Sequence, residues 1–122
     1  MAKHNELGKI GEKLALKYLK NKGFEIIECN YRYKRLEIDI IARFQNKVRI
    51  IEVKTRSNDN FGNPEEALSF AKQKRLADAA YFYLNEKDID LDAQFDLITI
   101  MKTNGMYKVE YIEEAFYPYE IE

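Results

Sequence analysis

The stretch 36–56 reads LEIDIIARFQNKVRIIEVKTR and consists of two alternating apolar runs joined by a polar break at Gln45 and Asn46. Apolar alternation interrupted by a short polar break is typical of a β-hairpin. An even-length turn centred on that break places Asp39 of the first run directly opposite Glu52 of the second. We therefore expect a hairpin in which two carboxylates face each other.

Strand geometry divides each run between two faces, because successive side chains point to opposite sides. Glu37, Asp39 and Ile41 are predicted on one face, and the other face takes Leu36, Ile38, Ile40 and Ala42. In the second run Glu52 and Lys54 share a face, which places Glu37 opposite Lys54.

Facing carboxylates repel, so something positive is expected between Asp39 and Glu52. Hard divalent cations take carboxylate oxygens and keep several waters. Such a cation lowers the pKa of water and polarises a phosphoryl oxygen, and the Lys54 ammonium would stabilise the charge that gathers in the transition state. Alternatively, Glu37, Asp39, Glu52 and Lys54 form the solvated face of an amphipathic hairpin with cross-strand ion pairs, and spacing alone favours neither reading.

Several motifs resemble a known family. EIDIIA at 37–42 and IEVKTR at 51–56 resemble the D…E-x-K core of the PD-(D/E)XK nuclease superfamily. More narrowly, the chain resembles the YraN-like family of uncharacterised bacterial proteins, which are similar to archaeal Holliday junction resolvases. Further matches are Gly11-Glu12 with Ala15, Asn30-Tyr31-Arg32, Phe61-Gly62-x-Pro64-x-Glu66-Ala67 and Lys72-Gln73, so nearly the whole chain is covered. One departure is Leu36, where such sequences usually have glycine.

This resemblance implies a single nuclease-like domain over residues 1–122, with the restriction endonuclease-like three-layer α-β-α fold. The elements would follow in the order α-β-β-β-α-β-β around a central mixed β-sheet. It also implies that Asp39 and Glu52 bind Mg²⁺ or Mn²⁺, with the backbone carbonyl of Val53 as a further metal ligand. Lys54 would assist catalysis, and Glu12 would complete the acidic cluster as a catalytic and metal-binding residue.

Glu12 belongs to a first helix predicted over residues 6–21, with Asn5 as N-cap and Gly23 as the left-handed residue after its end. Gly8 and Gly11 are unfavourable inside a helix, so we expect another backbone to approach there. Helical position alone favours an exposed Glu12, whereas the family match places it beside the hairpin. Glu37 is a secondary candidate ligand, because an ion pair with Lys54 is the simpler assignment.

A nucleic-acid surface is predicted around the acidic site, made of Lys13, Arg32, Arg56, Lys72, Gln73 and Arg75. Lys13 lies on a lysine-rich side of the first helix. That side either contacts phosphates or is simply the solvent-exposed face of the helix. Arg32 stands in the run 31–35, where aromatic and basic residues either stack on bases or form a packed strand edge. These alternatives stay open.

The second helix is predicted from an N-cap at Asn63 to about residue 85, with a break near Ser69. One stripe of it carries Leu68, Lys72, Arg75, Ala79 and Phe82. The two cations either snorkel over apolar surface or contact phosphates. The resemblance favours a phosphate contact for Lys72.

Three more strands are predicted at 24–29, 95–101 and 107–112, the last two joined by a turn at Asn104 and Gly105. A crossover through the second helix would lay 95–101 parallel to a central strand. Residues 1–85 contain 17 Lys/Arg and 11 Asp/Glu, whereas residues 86–122 contain 3 and 10. The basic part carries the predicted site, which suits a polyanionic partner.

The chain shows no apolar run that could serve as a signal or span a membrane. Its lone cysteine, Cys29, is predicted to be a small buried apolar residue, and a single cysteine suits a reducing compartment. We expect a cytoplasmic protein that does not contact membranes. The function predicted is a metal-dependent endonuclease acting on DNA, with branched DNA as one substrate and a homodimer as one assembly that would suit it. The alternatives are a non-catalytic nucleic-acid-binding module and a structural partner acting through the aromatic tail 115–119.

Overall fold

The computed structural model describes residues 2–57 and 68–117. Helix α1 (Ala2–Asn21) is followed by strands β1 (Glu25–Tyr33), β2 (Leu36–Phe44) and β3 (Lys47–Ser57). Helix α2 (Phe70–Glu86) then leads to β4 (Asp92–Thr103) and β5 (Met106–Phe116). The predicted order α-β-β-β-α-β-β is confirmed. The predicted N-cap at Asn63, the loop before it and the end of the aromatic tail lie outside the described residues.

Strands β2 and β3 form the predicted hairpin. Its antiparallel ladder runs from the pair Phe44 and Lys47 to the pair Ile40 and Ile51. Between the strands, Gln45 and Asn46 have φ values of 52° and 62°. Two successive left-handed residues are typical of a type I′ turn, whose twist matches that of the strands it joins. The turn and the register of this part of the hairpin are therefore confirmed.

Strand β4 pairs with β3 in parallel along the whole length of β3. The chain then turns at Asn104 and Gly105, which have φ values of 53° and 78°, and β5 returns antiparallel to β4. The sheet order is β1-β2-β3-β4-β5, so β3 is the central strand and has one antiparallel and one parallel neighbour. The predicted mixed sheet is confirmed.

The two faces of the sheet are covered by different helices. One hydrophobic cluster joins Leu76 and Tyr83 of α2 to Phe95 and Leu97 of β4. The other joins Ala15 and Leu19 of α1 to Ile98 and Ile100 of β4. Because β4 contributes to both clusters, the described residues form three layers with one helix on each side of the sheet. The predicted three-layer α-β-α arrangement is confirmed.

The side-chain alternation of β2 reverses at Asp39, so the prediction that its four apolar residues share one face is wrong. Leu36 and Ile38 are buried in the cluster of α2, whereas Ile40 and Ala42 are buried in the cluster of α1. Asn30, which lies between the β1 partners of Ile38 and Ile40, has a φ of 54°. A left-handed residue interrupts regular strand geometry, so this irregularity accompanies the exchange of faces.

The helix ends agree with the prediction only in part. Helix α1 begins at Ala2, so Asn5 lies inside the helix and is not its N-cap. Gly23 has a φ of 94° and ends α1 as predicted. Helix α2 begins at Phe70, after Ser69 as N-cap. Within the ranges 2–57 and 68–117, neither helix is both long and apolar enough to cross a membrane.

The buried face of α2 differs from the predicted stripe. It is formed by Leu76, Ala77, Ala79, Ala80, Tyr83 and Leu84. Of the stripe residues, Leu68 and Ala79 are buried. Arg75 and Phe82 are exposed because tertiary packing turns a neighbouring face of α2 toward the sheet. Cys29 is also exposed, against the prediction, because it lies in β1 at an edge of the sheet.

Gly11 marks the point where α1 lies against β3. A Cβ placed on Gly11 would overlap Oγ1 of Thr55 and lie 3.0 Å from its Cβ. Another element therefore does approach closely at Gly11, but it does so through the side chain of Thr55 and not through the expected backbone. At Gly8 a Cβ would meet no atom within 4 Å among residues 2–57 and 68–117, so no described residue approaches closely there.

Gly11→Ala is expected to destabilise the protein, whereas Gly8→Ala is expected to stabilise it. The methyl group at residue 11 must push α1 away from Thr55, and overpacking of this kind costs about 1–3 kcal/mol. The methyl group at residue 8 would meet no atom of the described residues within 4 Å, so it is expected to add only the helix preference of alanine, about 1 kcal/mol. Urea unfolding of both variants measures the difference. Equal stabilities would contradict the contact between α1 and β3.

Candidate functional site

Asp39 of β2 and Glu52 of β3 are brought together at the centre of the sheet by reciprocal hydrogen bonds. The backbone N–H of Val53 donates to Oδ2 of Asp39 at 2.8 Å, and the backbone N–H of Asp39 donates to Oε2 of Glu52 at 3.3 Å. Glu52 is only 6% exposed, and Asp39 is half-buried. Each carboxylate is thus held by the neighbouring strand.

These hydrogen bonds take the place of regular strand pairing. The ladder between β2 and β3 ends at the pair Ile40 and Ile51, so Asp39 and Glu52 are not the directly paired residues that the sequence predicted. Buried N–H groups must find acceptors, and beyond the ladder two of them find carboxylates. Each carboxylate keeps its second oxygen for another partner.

Burial makes this acidic pair costly to ionise. Burial is the largest cause that raises the pKa of Asp39 from 3.8 to about 7, and the charge of Glu52 adds to it. Burial also raises the pKa of Glu52, where the charge of Glu37 acts in the same direction. The Lys72 ammonium and the backbone hydrogen bonds lower both pKa values in part. Positive charge among the described residues therefore compensates the acidic pair only in part.

Lys72 supplies one positive charge from the first turn of α2. Its Nζ lies 3.0 Å from Oε1 of Glu52, the oxygen not used by the Asp39 backbone bond. Sequence reasoning placed Lys72 beside the site, but it missed the direct ion pair. The neighbouring Gln73, predicted to bind nucleic acid, donates through Nε2 to the backbone carbonyl of Leu68 at 2.7 Å and so holds the chain entering α2.

The remaining acidic candidates surround the pair less closely. Glu12 of α1 is half-buried, and its negative charge raises the pKa of Asp39. Glu37 is half-buried in β2 and pairs in register with Arg32 of β1, not with Lys54. In residues 2–57 and 68–117, no three His, Cys, Asp or Glu side chains converge closely enough to hold a metal ion. The structure thus brings two acids together, with Glu12 and Glu37 nearby.

The predicted basic residues lie on several elements. Lys54 is exposed on β3, two residues beyond Glu52, and Arg56 is half-buried near the end of the same strand. Lys13 on α1, Arg32 on β1 and Arg75 on α2 are exposed. Their roles toward nucleic acid stay predictions.

The aromatic residues of the run 31–35 form a packed strand edge. The ring of Tyr31 lies 4.9 Å from that of Tyr83, and the ring of Tyr33 lies 4.9 Å from that of Phe82. Both contacts join β1 to α2. Packing therefore accounts for these aromatics, while Arg32 between them remains exposed.

The acidic pair fits a divalent cation on chemical grounds. Buried Glu52 and half-buried Asp39 have the Lys72 ammonium as their counter-charge among the described residues, and burial opposes their ionisation. Asp39 Oδ1 and Glu52 Oε1 are the oxygens not engaged by the two backbone N–H groups. Carboxylate oxygens are the ligands that Mg²⁺ and Mn²⁺ prefer. The donor set is therefore suitable for the predicted metal.

The raised pKa of Asp39 predicts that stability falls as the pH rises. Its folded-state pKa of about 7 exceeds the ordinary 3.8, so the folded protein binds more protons than the unfolded chain between these values. The stabilisation is present at low pH and is lost as the pH rises through 7. Urea midpoints at about pH 5 and about pH 8 should differ less in Asp39→Asn than in the wild type. An equal difference in both proteins would contradict this assignment.

A buried network on β3, β4 and β5 was missed by sequence reasoning. Arg49 Nη1 lies 3.3 Å from Oδ2 of Asp96, and their side chains are 3% and 0% exposed. Asp96 Oδ1 accepts from Gln94 Nε2 at 3.0 Å and from the backbone N–H of Glu114 at 2.8 Å, and its Oδ2 accepts from the Tyr111 hydroxyl. The available signal was a single charged residue inside each of two apolar strand runs.

A concavity of about 450 Å³ lies apart from the acidic pair. Its lining includes Tyr81 and Leu84 of α2, Phe95 of β4 and Phe116 of β5. It contains none of the predicted site residues. The concavity therefore gives no support to the placement of the predicted site.

Comparisons with known proteins identify relatives over the whole chain. Residues 11–100 match the model of the Uncharacterised protein family UPF0102. A UPF0102 protein of Bacteroides thetaiotaomicron is 47% identical over 118 residues, which cover 97% of this chain and 98% of the relative. A UPF0102 protein of Christiangramia forsetii is 45% identical over 117 residues, covering 96% and 98%. One of Alkaliphilus oremlandii is 41% identical over 116 residues, covering 93% and 99%. The chain therefore belongs to the UPF0102 family.

Proposed function

We propose that this protein is a metal-dependent endonuclease of the PD-(D/E)XK superfamily that hydrolyses DNA phosphodiester bonds. The observation that carries the proposal is the buried pair of Asp39 and Glu52, each hydrogen-bonded across to the other strand. Such a pair is unfavourable for folding alone, because burial and mutual repulsion oppose its ionisation. Paired acids that can hold a divalent cation are what metal-assisted phosphodiester hydrolysis uses.

The residues take the following roles in this proposal. Asp39 and Glu52 hold Mg²⁺ or Mn²⁺ together with the backbone carbonyl of Val53. When bound, the cation supplies Lewis acidity at a phosphoryl oxygen and lowers the pKa of water. Lys54 orients the attacking water and offsets negative charge on the phosphorus oxygens. Glu12 holds a second cation or a water molecule from the side of α1.

The distribution of charge along the chain supports DNA as the substrate class. The excess of Lys and Arg falls in residues 1–85, which contain the acidic pair. Exposed Lys13, Arg32 and Arg75 would contact phosphates without reading sequence. Branched DNA is the first substrate to test, because a two-fold homodimer would present one site to each of two strands. The cytoplasm is the compartment in which we place this activity.

A non-catalytic nucleic-acid-binding module is the second candidate. It is favoured by the absence, among residues 2–57 and 68–117, of three acidic, His or Cys side chains arranged around one metal position. It is also favoured by Lys72, which already pairs with Glu52. A module of this kind would bind DNA with strong salt dependence and no metal requirement.

The two candidates are separated by cleavage of a panel of branched, flapped and linear DNAs with Mn²⁺, comparing wild type with Lys54→Ala. The endonuclease predicts cleavage of at least one class by the wild type, and its loss in Lys54→Ala. The class that is cut identifies the substrate. Salt-dependent binding without cleavage of any DNA would instead support the binding module.

A further inference from the structure

The ion pair between Lys72 and Glu52 joins a partly exposed lysine side chain to a buried glutamate side chain. The Lys72 side chain is 36% exposed, whereas that of Glu52 is 8% exposed. The backbone of Lys72 is anchored, since its N–H donates to Oγ of Ser69 at 3.2 Å. A lysine has a flexible four-carbon stem. Its ammonium can therefore leave Glu52 for solvent while α2 stays in place.

The oxygen that Lys72 occupies is one that a divalent cation would need. Oε2 of Glu52 and Oδ2 of Asp39 accept backbone hydrogen bonds. Oε1 of Glu52 is the oxygen that the Lys72 ammonium contacts. An ammonium 3.0 Å from this oxygen would repel a divalent ion bound to it, because like charges at such distances in a poorly solvated site interact strongly.

We propose that Lys72 is an exchangeable counter-ion, which a divalent cation displaces from Glu52 and which then binds a phosphate group of the nucleic acid. This inference rests on the proposed function, because it takes the Asp39 and Glu52 pair as the cation site. Before the cation binds, Lys72 partly neutralises the acids. After it binds, the released ammonium lies beside the site with its three donors free for phosphate oxygens.

The exchange makes cation binding and polyanion binding interdependent. A cation that releases Lys72 raises the affinity for nucleic acid, and nucleic acid that captures Lys72 raises the affinity for the cation by the same factor. The coupling between cation binding and polyanion binding depends on the charge of Lys72. A substitution that removes this charge should therefore remove the coupling.

Isothermal titration of wild type, Lys72→Met and Lys74→Met with Mn²⁺ at pH about 8.5 tests the first half of the exchange. Lys74 is an exposed lysine of the same helix and controls for net charge. Lys72→Met is expected to bind Mn²⁺ about tenfold more tightly than the wild type, a typical coupling between two sites. Lys74→Met should match the wild type. Equal affinities of wild type and Lys72→Met would overturn the exchange, whereas no Mn²⁺ binding by any of the three would overturn the proposed function itself.

The second half is tested by fluorescence anisotropy of a labelled DNA junction with and without Ca²⁺, which oxygen ligands also bind. Ca²⁺ is expected to raise the affinity of wild type and of Lys74→Met for the DNA by about fivefold, near the lower end of site-to-site couplings. Lys72→Met should lose this increase while keeping Mn²⁺ binding, which shows that its site is intact. An undiminished Ca²⁺ effect in Lys72→Met would overturn the role of Lys72 toward phosphate.

Discussion

Asp39→Asn is expected to abolish Mn²⁺ binding detectable by calorimetry and to lower the DNA cleavage rate by about three orders of magnitude. The amide keeps the shape of the carboxylate and its oxygen can still accept from the N–H of Val53. It removes the negative charge that attracts the cation. The variant should nevertheless be at least as stable as the wild type at about pH 8, because burial disfavours the charge of Asp39.

Asp92→Asn is the matched control, since Asp92 is an exposed aspartate at the start of β4. It should bind Mn²⁺ and cleave DNA like the wild type. Single-turnover cleavage, calorimetry and urea unfolding of the three proteins give the comparison. Full Mn²⁺ affinity in Asp39→Asn would show that the cation binds elsewhere, and lower stability would show that the Asp39 charge supports the fold.

Asp96→Ala is expected to lower the free energy of unfolding by about 3–5 kcal/mol. The change leaves the Arg49 guanidinium buried at 3% exposure without its closest carboxylate. It also removes the acceptor of Gln94, of Tyr111 and of the Glu114 backbone N–H. Domains of this size are stabilised by only about 5–15 kcal/mol, so a large part of the total would be lost. Urea unfolding followed by circular dichroism measures the loss.

The double variant Arg49→Met and Asp96→Ala separates the charge effect from the loss of the other hydrogen bonds. Removing both ions leaves no buried unpaired charge, so the double variant should be more stable than Asp96→Ala alone. Arg49→Met also keeps an apolar group near the rings of Phe24 and Phe44, which lie 5.6 Å and 5.1 Å from the guanidinium carbon. Additive losses from the two changes would contradict a coupled ion pair.

Asp39 and Asp96 differ in how far the surrounding groups balance the charge of the carboxylate. Asp39 carries a raised pKa and is held by one backbone N–H, while its neighbours include two further acids. Asp96 is surrounded by a guanidinium, an amide, a hydroxyl and a backbone N–H. A buried acid whose charge is balanced by a cation and hydrogen-bond donors serves the structure. A buried acid whose charge is only partly balanced is the kind that functional sites contain.

Local sequence patterns determined the elements of this fold. The alternating runs, the break at Gln45 and Asn46 and the turn at Asn104 and Gly105 depend on backbone preferences of adjacent residues. They correctly predicted the element order, the mixed sheet and the hairpin register from the turn as far as the pair Ile40 and Ile51. The candidate pair of Asp39 and Glu52 also followed from this register, because a short turn determines which residues of two joined strands lie close together.

Only the tertiary structure decided which contacts the functional groups make. The reversal of faces at Asp39 and the early end of the ladder depend on how β2 is held between β1 and β3. Arg49 and Asp96 lie 47 residues apart in the chain, and Lys72 reaches Glu52 from a separate helix. Strand periodicity and helix propensity act between near neighbours in sequence, so they carry no information about such contacts. Packing of the helices on the sheet determines them.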